Sequence, residues 1–334
     1  MYTCQLPGLI TVNARGGEEG PSRNRQGSPG AWRPGTFLVT GRGPPEDAST
    51  RTGPVCLLTG ATSGIGEVVA ARLAAQGARM LLVGRSAERG AQTIERIHST
   101  VPGADLRFYL SDLSRPVEVR RLATEVRASS DHLDVLINNA GAIFFTQTLT
   151  AEGNEATFAL NVLAPFLLTE LLLDRLKPHH GRVVNVSSAA HRTAGLHLED
   201  LDRARGYSAW GAYGQSKLAL LMVTYEAARR HAGLGVTFNA CHPGFIRSRF
   251  GDAGGTFSAR AFRVAKRMFG LSPEHGADTP TYVATAPELA GVTGRYFVQS
   301  RPHGSSRASR DREAAGCLWE ICLERTAAYR APLP

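Results

Sequence analysis

The sequence predicts an α/β fold: a single domain in which a seven-stranded parallel sheet is flanked on both faces by helices. Three observations carry this. Short apolar runs near residues 55, 80, 107, 135, 184, 237 and 296 alternate with longer amphipathic stretches, the pattern of strands joined by helical crossovers. A glycine-rich turn separates the first run from the first helical stretch. At 334 residues, 43% hydrophobic and 20% charged, the chain is long enough to bury one large core. Because such crossovers are right-handed, the sheet is expected to be doubly wound and Rossmann-type, with ligands held outside the carboxyl ends of its strands.

The first strand, Pro54-Val55-Cys56-Leu57-Leu58, leads into Thr59-Gly60-Ala61-Thr62-Ser63-Gly64-Ile65-Gly66 and then a helical stretch from Glu67 to Gln76. Glycines let the backbone turn tightly and approach a pyrophosphate, while the free N–H groups of the helix start favour negative charge. Thr59, Gly60, Ser63, Gly64, Ile65 and Gly66 are therefore expected to hold a dinucleotide. The second strand, Arg79 to Val83, ends in Gly84-Arg85-Ser86. A carboxylate here would hold the ribose of NAD(H), whereas an arginine attracts the 2'-phosphate of NADP(H). Arg85 stands there without an acid, so NADP(H) is expected in preference to NAD(H).

The third strand, Leu106 to Leu110, is followed by Asp112-Leu113, and the fourth, Leu133 to Ile137, by Asn138-Asn139-Ala140-Gly141. The apolar stretch from Leu160 to Leu173 is interrupted by Asn161, Pro165 and Glu170, so it is read as a buried helix rather than a membrane span. The fifth strand, Arg182-Val183-Val184-Asn185-Val186, ends in Ser187-Ser188. Beyond it, Tyr213-Gly214-Gln215-Ser216-Lys217 sets a phenol and an ammonium four residues apart, on one face of a helix. A free tyrosine titrates near pH ~10, so acid/base work at neutral pH needs a drop of about three pH units, roughly 4 kcal/mol, which a nearby cation supplies. Only three of the 38 basic residues are lysines, so a lysine at this spacing is not the ordinary arginine-rich helix surface of this chain.

With these motifs in place, residues 54 to 300 resemble the short-chain dehydrogenase/reductase family. The resemblance implies that Asp112 and Leu113 sit beside the adenine and that Asn138, Ala140 and Gly141 belong to the cofactor side. It implies catalytic roles for Asn161, Ser188, Tyr213 and Lys217. Tyr213 would exchange a proton with the substrate oxygen, and Ser188 would hold that oxygen. Lys217 would lower the phenol pKa and contact the nicotinamide ribose, while Asn161 would hold a water linking Lys217 to solvent. Pro243-Gly244-Phe245-Ile246-Arg247-Ser248 matches the segment that holds the nicotinamide carboxamide, with Pro243, Gly244, Ile246 and Ser248 as contacts and Ser248 where threonine is common. The implied activity is NADP(H)-dependent interconversion of a carbonyl and an alcohol, leaning toward reduction, on a small or lipophilic aldehyde or ketone. Two other readings stay open: an NADP-binding regulatory or interaction protein without turnover, and a reductase of enone double bonds. The segment from Ser188 to Tyr213, with Ala189-Ala190-His191 and Gln215-Ser216-Lys217-Leu218-Ala219, looks most like the retinol dehydrogenase branch. Neither retinoid specificity nor that branch's membrane anchor is carried across. Helix pairing between subunits, as a homodimer or homotetramer, is also implied.

The remaining segments bound the reading. Residues 1–53, rich in Gly, Pro, Arg and Ser, are expected to be a disordered tail, and their acids and prolines argue against a transit helix. Residues 54–300 form the catalytic domain, with 245–272 as a substrate lid in which Phe250, Phe257, Phe262 and Phe269 alternate with basic residues. Ordinary amphipathic packing and an interfacial membrane helix compete with the lid reading. Residues 301–334 are a C-terminal extension with a helix. The five cysteines are scattered and expected to be reduced, and neither Cys317 with Cys322 nor the adjacent His179-His180 makes a metal pattern, so no metal is expected. A net charge of +9 without a nucleic-acid-binding signature suits an anionic cofactor rather than nucleic acid. A cytoplasmic location is expected.

Overall fold

The computed structural model describes residues 53–246, 271–331 and 333. The tail reading of residues 1–52, the body of the lid at 247–270, and Ser248 lie outside the described residues.

All seven expected strands form: β1 (Val55–Thr59), β2 (Arg79–Gly84), β3 (Leu106–Leu110), β4 (Val135–Asn138), β5 (Arg182–Val186), β6 (Thr237–His242) and β7 (Tyr296–Val298). They pair in parallel in the order β3-β2-β1-β4-β5-β6-β7. The expected strand number needs one correction, because a short β8 (Arg301–Pro302) adds an antiparallel edge against β7. Two residues, one of them a proline confined to sheet edges, leave no apolar run to read.

Among the described residues, seven longer helices accompany the sheet: α1 (Gly64–Ala75), α2 (Ala87–Thr100), α3 (Pro116–Ser129), α4 (Ala164–Leu176), α5 (Ala209–Arg230), α6 (Pro273–Thr285) and α7 (Arg312–Thr326). Successive strand residues point to opposite faces, so both faces must be covered and the strands are predominantly apolar. Leu57, Leu81 and Val183 join one core cluster with Val119 and Leu122 of α3, Leu167 of α4 and Leu218 of α5. Leu58, Leu82 and Val184 join the other with Val69 and Leu73 of α1, Ile94 of α2 and Val283 of α6. Each such leucine or valine, fully withdrawn from water, contributes about 1.5–3 kcal/mol. The apolar stretch Ala156–His179 is long enough to cross a membrane, yet 83% of its most apolar window is buried in this core. The terminal helix α7 belongs to the same core: Trp319 is buried and meets Phe166 edge-on, with ring centroids 4.8 Å apart.

This topology fixes where a ligand can sit. From β1 the chain proceeds outward to β2 and β3, then returns to lay β4 on the other flank of β1. The loops leaving β1 and β4 therefore diverge, and a crevice opens between them at the carboxyl ends of the strands.

Candidate active site

A cavity of about 1040 Å³ occupies that crevice. Its floor is the turn between β1 and α1. Gly60 takes φ +68°, a conformation that side chains disfavour, and a Cβ built on Gly66 would lie 2.2 Å from the Gly60 carbonyl and 2.7 Å from Asn139 Nδ2. Asn139 Nδ2 donates to the carbonyls of Thr59 and Gly60 at 2.9 and 3.1 Å, and Thr59 Oγ1 accepts from the amides of Asn139 and Ala140 at 3.0 Å each. The turn is thus tied to the end of β4 before any ligand arrives. Ser63 precedes α1 in an extended conformation and makes no side-chain cap, so the first helical N–H groups face the cavity without a capping oxygen.

Gly60, Ser63, Gly64, Ile65, Gly66 and Arg85 all line the cavity, as do Asp112, Leu113, Ala140 and Gly141, and at the far end Pro243, Gly244 and Ile246. Two expected contacts do not. Thr59 is spent on Asn139 and Ala140 as described. Asn138 points into the sheet core, where Nδ2 donates to Asn185 Oδ1 at 2.9 Å. The residue beside it, Asn139, reaches the cavity instead. Sequence reading also passed over Thr62 and Arg89. Arg89 lies four residues beyond Arg85 in the first turn of α2, whose start Ser86 caps by accepting from its amide at 3.3 Å. Arg85, Arg89, Arg115 and Lys217 face one lining carboxylate among the described residues, Asp112. That positive balance and the glycine cradle fit an anionic dinucleotide.

At the other end, Ser188, Tyr213 and Lys217 converge on the same cavity. Ser188 starts a 3-10 turn after β5, and its Oγ accepts from the Ala190 amide at 3.2 Å. Tyr213 and Lys217 stand one turn apart on α5, both buried, with Nζ 5.7 Å from the phenol ring centre. Lys217 Nζ donates to the Val186 carbonyl at 2.9 Å. A Cβ on Gly141 would come 3.2 Å from that Nζ and 3.1 Å from Asn161 Oδ1, so the glycine leaves the space beside both open.

The electrostatics differ from the sequence expectation. Burial pushes the Tyr213 phenol up to about 12, opposed by a hydrogen bond with Ser188, and burial pushes the Lys217 ammonium down to about 8. The ammonium was expected to depress the phenol, but burial is the largest influence on each group and disfavours the charged form of both. The Asn161 side chain has a structural task of its own. It sits in a π-helical turn, Ala159–Leu163, where its amide accepts from Ala142 N and donates to Ala142 O, both at 3.0 Å, and donates to Ser216 Oγ at 2.9 Å. The amide therefore clamps the loop after β4 onto α5, and its bonds are already taken.

Two further groups were given no site role from the sequence. His191, fully buried, has Nδ1 2.6 Å from the Ser188 carbonyl and accepts from the Ser306 amide at Nε2, 3.2 Å away. These bonds fix a neutral ring protonated on Nδ1, and burial lowers its pKa. No local signal marks it, because Ser306 comes from the far end of the chain. One turn before Tyr213 on α5, Trp210 meets both Phe145 and Tyr213 edge-on, each with centroids 6.4 Å apart, giving an apolar approach to the phenol.

Comparison with known proteins agrees with this architecture. Residues 54–254 match the family model described as short chain dehydrogenase. Human retinol dehydrogenase 13 is 36% identical over 311 residues, covering 89% of this chain and 92% of that protein. Human polyprenol dehydrogenase is 35% identical over 283 residues, covering 81% and 84%. Among solved structures, the Pseudomonas aeruginosa RhlG/NADP active-site complex aligns with a TM-score of 0.58 at 30% identity, covering 74% of this chain and 94% of that one. The glycine cradle, the Ser188-Tyr213-Lys217 cluster and these matches lead to one conclusion: the chain belongs to the short-chain dehydrogenase family of oxidoreductases, in its retinol dehydrogenase-like branch.

Proposed function

We propose that the protein is an NADP(H)-dependent oxidoreductase that reduces a lipophilic aldehyde or ketone to the alcohol, with Tyr213 as the proton donor. The observation that carries this is the meeting of Ser188, Tyr213 and Lys217 on one wall of a cavity whose other end is a glycine cradle. When bound there, the nicotinamide supplies hydride exchange at the substrate carbon. The chain's own residues do the rest. Ser188 Oγ and Tyr213 Oη, hydrogen-bonded to each other, are the two donors that can hold one substrate oxygen and stabilise charge developing on it. A phenol whose pKa is raised by burial is protonated at neutral pH, so it enters the reaction with a proton to give.

Lys217 then replenishes the phenol. A buried amine near 8 can lose its proton to the oxygen of Tyr213 and regain one from solvent. Because the Asn161 amide is already bonded, a water in that relay would rest on the Asn161 backbone carbonyl in the π-turn. The preference for a 2'-phosphate is supported by Arg85, Arg89 and Ser86 around the end of β2 and by the NADP of the similar RhlG complex. A lipophilic substrate is supported by Trp210 and Phe145 beside the phenol and by the retinol and polyprenol in the names of two relatives.

Tyr213→Phe tests the assignment. It should abolish carbonyl-dependent NADPH oxidation across a panel of aldehydes, ketones, steroids and retinoids while NADPH affinity, measured by fluorescence titration, stays within threefold. Turnover equal to the parent's would remove the proposed acid.

A further inference from the structure

The cavity wall beside the phenol is aromatic, and two loops hold it in place. Trp210 lies in the first turn of α5, with its ring at 86° to that of Tyr213 and the centroids 6.4 Å apart. Phe145, from the loop after β4, stands at 84° to the same indole, also 6.4 Å away. All three rings line the cavity. The segment that carries Phe145 is fastened on both sides. Tyr207 Oη donates to the Phe144 carbonyl at 2.5 Å, and Gln147 Nε2 donates to the Asp202 carbonyl at 3.1 Å. The loop after β4 is thereby tied to the loop that leads into α5, and Phe145 meets Trp210 where the two come together.

A substrate oxygen held by Ser188 Oγ and Tyr213 Oη brings its carbon close to this wall. A hydrogen bond of about 2.6–3.2 Å and a C=O bond of about 1.2 Å leave the carbonyl carbon within roughly 4.4 Å of the phenol oxygen. Its substituents then run along the cavity wall, and the indole that touches the phenol is part of that wall. Trp210 is 41% exposed, so it has surface to offer a ligand. Rings set nearly at right angles form a corner, in which a flat group lying against the face of one ring meets the edge of the next. Those are the two arrangements that aromatic pairs prefer. A saturated ring of the same carbon count gains only from the area it buries.

Taking Tyr213 as the proton donor, as above, we propose that Trp210, with Phe145 held against it through Tyr207, is the specificity-determining wall of this site and selects compounds whose carbonyl is attached to a flat aryl group. Trp210 contacts the substrate. Tyr207 is a positioning residue that acts through the Phe144 carbonyl. The wall stands at the Ser188–Tyr213 end of the cavity, away from the glycine cradle, so it discriminates among substrates and not between cofactors.

The test compares 2-naphthaldehyde with decahydro-2-naphthaldehyde, an aryl carbonyl and its saturated counterpart, on the full chain with NADPH. The intrinsic reactivity of the two aldehydes is common to every variant, so a change in the ratio of their kcat/KM values reports the wall. Trp210→Leu should lower the aryl preference about 2–12-fold, the worth of an aromatic pair beyond its buried area, through KM and with NADPH affinity unchanged. Trp210→Phe should retain most of the preference. Tyr207→Phe keeps the ring but loses the bond to Phe144, and should lower the preference at least twofold through KM, whereas a general loss of stability would slow both aldehydes alike. A preference that falls less than twofold in Trp210→Leu would overturn the assignment. The same comparison is read without turnover from calorimetric dissociation constants of the two corresponding alcohols. If the parent reduces neither aldehyde yet shows an aryl binding preference that Trp210→Leu loses, the wall stands and Tyr213 is not a working acid; an equal binding preference in both proteins rejects the wall whatever the turnover.

Discussion

Lys217 should be a residue whose removal stabilises the protein it serves. Its ammonium is held in a dry cavity wall, where burial lowers its pKa from an ordinary 10.5 to about 8, partly offset by Cys241. At about 1.4 kcal/mol for each pH unit, that buried charge costs the cofactor-free fold about 3 kcal/mol at neutral pH. Lys217→Met keeps the length of the stem and removes the charge. It also loses the bond to the Val186 carbonyl, worth about 1 kcal/mol, so the net gain should be about 2 kcal/mol. In a chain of this size that corresponds to a rise in melting temperature of roughly 4 °C. The pH dependence is diagnostic. Below pH 8 the amine is protonated in both native and unfolded states and the full cost is present. Between about 8 and 10.5 the unfolded chain still binds the proton that the native state has released, so the parent gains stability relative to the variant as pH rises. By pH 9 about 1 kcal/mol of the gap should have closed. Urea melts of both proteins at pH 7 and pH 9, alongside NADPH oxidation, make the measurement. A variant no more stable than the parent at pH 7, or with an advantage unchanged at pH 9, would refute the account of a penalised ammonium.

Arg85→Ala removes a guanidinium at the cavity rim and should weaken NADPH by about 10–100-fold while changing NADH little, as read by parallel fluorescence titrations. An equal loss for both cofactors would count against a phosphate contact. His191→Phe leaves the Ser188 carbonyl and the Ser306 amide without their partner, and should lower kcat about tenfold with NADPH affinity unchanged, whereas His191→Asn recovers part of the rate. Steady-state kinetics in which kcat stays within twofold of the parent would deny the ring any part in holding the serine. Gly66→Ala drives a methyl into the Gly60 carbonyl, and should cost about 1–3 kcal/mol and weaken NADPH at least tenfold. Gly316→Ala, where a Cβ meets nothing on α7, should instead stabilise by about 1 kcal/mol, so a similar melting-temperature loss in both would show that the turn is not specially crowded.

The fold was legible because the central parallel strands are buried on both faces and so appear in sequence as short, predominantly apolar runs, while the turn after β1 carries its glycines in one short stretch. What failed was anything decided by direction or by distant partners. Of the adjacent pair Asn138 and Asn139, the first is still within β4, and its side chain stays in the sheet to bond Asn185. The second has left the strand and can turn toward Gly60. Two identical neighbours cannot be told apart until the strand end is known. The phenol and ammonium pKa values depend on how completely the surrounding chain excludes water, and no spacing within Tyr213-Gly214-Gln215-Ser216-Lys217 records that.

The same limit bears on the segment read as a C-terminal extension. Ser306 donates its amide to His191, Gly304 offers its carbonyl to Arg192, and Ser305 Oγ accepts from Tyr225 on α5, so residues 304–306 grip both the serine-bearing turn and the helix that carries Tyr213 and Lys217. Farther along, Arg325 of α7 forms an ion pair with Asp202 at 2.8 Å and a hydrogen bond to Asn154 at 2.9 Å, fastening the loop that leads into α5. The two donors proposed to hold the substrate oxygen, Ser188 on one loop and Tyr213 on one helix, thus share a common brace. Because a proton passes efficiently only between groups held within hydrogen-bond reach, this bracing is the physical link between a distant terminal segment and the chemistry in the cavity.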